Sequence, residues 1–130
     1  MPSVDLLLIA LVLLQAKHFI ADYLLQPGWM LRGKNSFAKI GGYAHAGIHA
    51  SLSLPVLLQF GLQPLTAAWL CAAEFCTHYL IDYGKSNLPF SASLDVKSRT
   101  YWALHGGDQL LHHLTYVALL LGAGNLLPQS

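Results

Sequence analysis

The sequence predicts an all-α protein: a bundle of four membrane-crossing helices with a His- and Asp-rich interior in its cytoplasmic half. Three observations lead there. Apolar residues make up 55% of the 130 and charged residues only 10%, with a mean hydropathy of +0.48. Typical soluble proteins are about 25% charged. Apolar runs near bilayer length recur along the chain, and the ionisable residues inside them repeat at helical spacing. At this length residues 1–130 form a single domain, because a second core would lack material.

The runs fall at about 4–25, 43–60, 65–83 and 101–121. A helix needs about 20 residues at 1.5 Å rise to cross a hydrocarbon core of about 30 Å. The first run has no basic residues before it, carries Asp5, and is too long for the core of a signal peptide, so it reads as a retained helix. The breaks are marked by Pro27-Gly28, Gly41-Gly42, Gly61 with Pro64, and Pro89. The link at Gly61–Pro64 is short enough to make the second and third runs an antiparallel hairpin.

Charge sets the direction. Arg32, Lys34 and Lys39 lie between the first two runs, and Lys85, Lys97 and Arg99 between the last two. Basic loops stay in the cytoplasm, which puts both chain termini outside and makes the protein multi-pass. Lys17, inside the first run, is expected to snorkel to that interface. A net charge of +1 with no basic stripe excludes a nucleic-acid partner. Cys71 and Cys76, five apart in an apolar run, make neither a disulfide framework nor a metal knuckle.

Each run carries a polar stripe. The first has His18 and Asp22, extended by Gln26; the second has His45 and His49. Glu74, His78 and Asp82 line the third, and His105, Asp108, Gln109 and His112 the fourth. Residues four apart share a helix face. All lie within roughly a dozen residues of the cytoplasmic ends, about 18 Å of depth. A charged residue at mid-membrane costs about 2.5–3.5 kcal/mol even on the mildest scales. Such a layer is tolerable when its members are paired, hydrated or bound to a cation.

Imidazole with carboxylate suits a divalent transition metal: Zn first, with Fe or Mn as alternatives. The expected ligands are His18, Asp22, His45, His49, His78, Asp82 and His112, with Gln26, Gln109 and His105 orienting them. Asp108 and Glu74 are the expected proton carriers, and Lys34, Lys85 and the other loop cations are expected to attract an anionic lipid or phosphorylated substrate. His113, one residue off the stripe, reads as structural.

The segments His18-Phe-Ile-Ala-Asp22-Tyr-Leu-Leu-Gln26, His45/His49, His78-Tyr-Leu-Ile-Asp82-Tyr-Gly-Lys85 and Asp108-Gln109-Leu-Leu-His112 together resemble domain-of-unknown-function family 3307. These are small bacterial integral-membrane proteins without an established activity. The resemblance covers nearly the whole chain and implies a bacterial inner-membrane location, with a site drawn from those motif positions. Glu74, His105 and His113 are not part of the motif.

The leading expectation is a membrane metal-binding protein acting as a metal-dependent hydrolase near the cytoplasmic leaflet. The alternatives are a proton or divalent-metal transporter or channel subunit, and a structural subunit whose polar layer is packing glue. The lipid-facing surface is compatible with a homo-oligomer.

Overall fold

The computed structural model describes residues 3–90 and 93–127. It is all-α, with no strand among the described residues. Helix α1 (Val4–Phe19) starts at Ser3, whose hydroxyl accepts the Leu6 amide at 3.2 Å. It runs into one wide π turn at Ile20–Leu24, closed by the Leu25 N–H on the Ile20 carbonyl at 3.0 Å. Then come α2 (Gly28–Gly33), α3 (Ile40–Gln59), α4 (Pro64–Ser86) and α5 (Arg99–Leu126). Pro64 sits in the first turn of α4, where a missing N–H costs nothing, and the Ser98 hydroxyl caps α5 through the Tyr101 amide. The α3–α4 link turns at Gly61, with φ of 95°.

Two of the sequence breaks differ in detail. Pro27 opens the short helix α2 instead of a plain loop. Gly41 and Gly42 lie in the first turn of α3, which therefore starts ahead of residue 43. Their role is close approach: a Cβ on Gly41 would sit 2.7 Å from the Trp29 carbonyl oxygen, and one on Gly33 2.6 Å from the Gly41 Cα. Only glycine lets α2 lie against α3 at this distance.

The long helices close a ring in which α1 packs on α3 and α5, and α4 packs on α3 and α5. The interior has two layers. At the Gly61 end it is apolar, built from residues such as Leu14, Val56, Leu57, Phe60, Leu119 and Leu120. Towards α2 it is polar, with His18, His45, His49, His78, Asp82, Asp108 and His112 all buried.

By length and hydropathy, one described helix is long and apolar enough to cross a membrane: Val4–Leu24, 21 residues with mean hydropathy 1.9. The same test is passed by signal sequences and by soluble core helices, but only 28% of this window is buried. The other long helices carry imidazoles, and α4 and α5 carboxylates as well, which lowers their mean hydropathy. The chain ends, residues 1–2 and 128–130, whose side of the membrane the charge pattern predicts, lie outside the described residues.

Candidate metal centre

Helical period brings the stripes together at the polar end of the ring. Asp22 is the first hub. Its Oδ1 lies 3.0 Å from His49 Nε2 and 3.1 Å from His45 Nε2. Its Oδ2 lies 3.2 Å from His18 Nε2 and accepts from the Gln109 amide at 3.2 Å. Three helices and the π turn thus converge on one carboxylate.

Asp82 is the second hub. Its Oδ1 lies 3.3 Å from His112 Nε2, and its Oδ2 lies 3.5 Å from His78 Nε2 and 3.6 Å from His45 Nε2. Lys34 Nζ reaches the same Oδ2 at 2.8 Å, an ion pair by distance whose angle falls outside hydrogen-bond geometry. Asp108 is next, at the rim, with Lys85 Nζ donating to its Oδ2 at 2.8 Å and His112 Nε2 at 3.6 Å from its Oδ1. Between the hubs the rings pack face to face: His49 and His78 have centroids 3.8 Å apart, and His78 and His112 4.1 Å.

Two sets of donor atoms are spaced for an ion. Ligand atoms from Asp22, His45, His49 and His78 all lie within 4.8 Å of one another, and so do those from His78, Asp82 and His112. Bonds of about 2.0–2.2 Å to one ion put its ligands about 3–4 Å apart. Both groups are near that spacing, and either could hold a metal ion. The donors also fit in a second way: His45 Nε2 and His78 Nε2 are buried with no hydrogen-bond partner. Buried imidazole nitrogens seldom go unpaired, and a cation would satisfy both.

The outer ring nitrogens are partly fixed. The Tyr116 hydroxyl is 2.7 Å from His18 Nδ1 and 3.5 Å from His49 Nδ1, so one phenol steadies two imidazoles. His18, an expected ligand, lies outside both donor groups: its Nε2 faces Asp22 and is also 3.1 Å from the Gln109 carbonyl oxygen. Metal sites commonly hold their imidazoles by such outer contacts.

Other expected residues stand apart. Glu74 binds Lys17 one turn deeper in α4, outside both donor groups. Lys17 does not snorkel: it is 6% exposed, donates to the His49 carbonyl at 3.0 Å and lies 4.5 Å from the Tyr116 ring centre. Gln26 caps the π turn through the Asp22 carbonyl at 3.0 Å. His105 is half-buried beside Tyr101 and Trp102, 3.3 Å from the Tyr23 hydroxyl, and it does not orient the cluster. His113 is half-buried with its ring 5.4 Å from that of His18. Sequence reasoning had Lys34 as a loop cation and missed its pairing with Asp82; it missed Tyr116 because that residue reads as apolar. Tyr116 was findable: it stands one turn beyond His112 on the stripe that begins at Asp108.

DUF3307, described as "Protein of unknown function", matches residues 7–128. The chain belongs to this family. All the side chains of the two hubs fall inside the matched region. No curated protein and no solved structure matches the chain. The DUF3307 assignment therefore brings no reaction with it, and the chemistry rests on the geometry of the two hubs.

Proposed function

We propose that this DUF3307 protein is an integral-membrane metal-binding protein, with Zn the first candidate and Fe or Mn behind it, and that its site serves metal-dependent hydrolysis near the cytoplasmic leaflet. One observation supports the metal most: three helices and the π turn deliver Asp22, His45, His49, His78, Asp82 and His112 into two donor groups that share His78. A bound ion of this kind lowers the pKa of coordinated water to about 7. In this reading Asp108, paired with Lys85 at the rim, would take a proton, and Glu74, held by Lys17, would balance charge.

The membrane part is supported by an inverted surface. Leu8, Val12, Leu65, Trp69, Leu80, Leu110 and Leu121 are each more than half exposed, on all the long helices but α3. Soluble monomers rarely expose large apolar patches, whereas a bilayer would cover them. A transport reading needs a polar path to both faces. Beyond Lys17, Glu74 and the buried Ser53 hydroxyl the interior is apolar, with Leu14, Leu57 and Leu120.

Metal analysis after chelator-free purification tests the reading, with at least one equivalent per chain expected. His78→Ala, common to both groups, should lower the content more than His112→Ala, and His78→Ala with His49→Ala should lose nearly all of it. Asp82→Asn keeps size and removes charge. Wild-type content in both His78→Ala and Asp82→Asn would take this pair out of the site. A wild type without Zn, Fe, Mn or Ni would leave a hydrogen-bonded packing layer in place of a metal centre.

A further inference from the structure

Two cavities meet at Lys85. One, of about 300 Å³, is a polar pocket lined by Leu31, Arg32, Lys34, Asn35, Asp82, Lys85 and Ser86. The other, of about 590 Å³, is an apolar groove between α4 and α5, walled by Leu80, Ile81, Leu88, Leu104 and Leu111, with Lys85 and Asp108 at its polar end. Lys34 and Lys85 are each paired with a carboxylate, but Arg32 has no carboxylate partner among the described residues. The pocket therefore has one positive charge left over, and its inner wall is Asp82, a member of the second donor group.

Two glycines lie along the groove. Gly84 and Gly107 line it from facing helices, and a Cβ at either would meet nothing within 4 Å. Glycine inside a helix weakens it relative to alanine. Neither position has a neighbour that demands the missing methyl. The result is an apolar slot whose polar end, at Lys85 and Asp108, adjoins the pocket that holds Arg32 and Lys34.

We propose that the slot and the pocket together bind a phospholipid, with its phosphate between Arg32, Lys34 and Lys85 and an acyl chain along Gly84 and Gly107. A phosphodiester carries the single negative charge that the pocket lacks, and guanidinium and ammonium donors bind its oxygens by charge-assisted hydrogen bonds. The phosphate would then lie beside Asp82, which makes the lipid headgroup the substrate class of the proposed centre. The inference rests on the proposed membrane placement; binding itself is read without the metal.

The test uses the full chain in detergent and native mass spectrometry with phosphatidylglycerol, diacylglycerol or inorganic phosphate as probes. One phosphatidylglycerol per chain should be retained, about ten-fold more tightly than diacylglycerol, the effect of one good charge-assisted contact. Arg32→Gln with Lys85→Gln should remove that preference. Gly84→Phe with Gly107→Phe should fill the slot and lower lipid retention while sparing the cations. Gly107→Ala, which should fold at least as well as the wild type, should still bind. Equal retention of diacylglycerol, or displacement of lipid by inorganic phosphate with no effect of the Phe variants, would overturn the proposal. Metal content of the wild-type sample separates the readings: a wild type that holds metal but retains no phosphatidylglycerol refutes this inference alone, and one that retains the lipid without metal refutes the metal centre alone.

Discussion

Lys17 and Glu74 form an ion pair whose side chains are 7% and 1% exposed, deep enough that solvent does not screen it. Lys17→Met keeps the length of the side chain and removes its charge. It strands the Glu74 carboxylate, whose Oε2 is already buried without a partner, and takes the donor from the His49 carbonyl. Breaking a buried pair from one side costs about 3–5 kcal/mol. With an unfolding entropy of about 2.1 cal/mol/K per residue, 130 residues give ~0.27 kcal/mol/K. The melting temperature should therefore fall by about 11–18 °C. Thermal unfolding followed by circular dichroism in one detergent is the assay. The double variant Lys17→Met with Glu74→Met removes both charges and should recover most of the loss, because a well-packed apolar pair often replaces a buried ion pair without cost. A drop below ~3 °C in the single variant, or a double variant as unstable as the sum of the singles, would refute the reasoning.

Gly41→Ala should destabilise by about 1–3 kcal/mol, because its methyl meets the Trp29 carbonyl at 2.7 Å. Gly106→Ala, in open space on α5, should instead stabilise by up to ~1 kcal/mol; the same melting assay compares the two. Tyr116→Phe removes the hydroxyl beside His18 and His49 and should weaken metal binding about 10–100-fold in a chelator competition; unchanged affinity would show that the phenol does not steady the rings. For orientation, Gln63→Cys should label from outside in intact cells and Lys97→Cys should not; the reverse pattern would move the polar layer to the other leaflet.

The all-α class and the inward stripes were legible because both derive from helical period, which is local. His18, Asp22, His45, His49, His78, Asp82, Asp108 and His112 needed only spacing and a common depth to be grouped. What was hidden depended on depth and on loops. His105 shares the face of His112 but lies two turns nearer the loop, level with Tyr23, where the cluster has ended. Lys34 enters the site only because α2 lies against α3 through Gly33 and Gly41, a packing event that no periodicity announces. Lys17 was misread because snorkelling is the general habit of a lysine near an interface, whereas here a buried carboxylate lies within its reach.

The π turn at Ile20–Leu24 has a consequence for how this segment can vary in length. An i→i−5 bond holds one residue more than an ordinary turn, so the helix before it and the chain after it are out of phase by a single residue. Deleting Ala21 would leave a regular helix and bring Asp22 to three residues from His18, turning its carboxylate by up to about 100° around the axis relative to that histidine. Asp22 would then part from His45 and His49, or His18 from Asp22, although no ligand had been mutated. Conservative exchanges at Ile20, Ala21 or Leu24 alter only local packing, while the number of residues between His18 and Gln26 sets the phase. Here the chain is constrained by its count more than by its spelling.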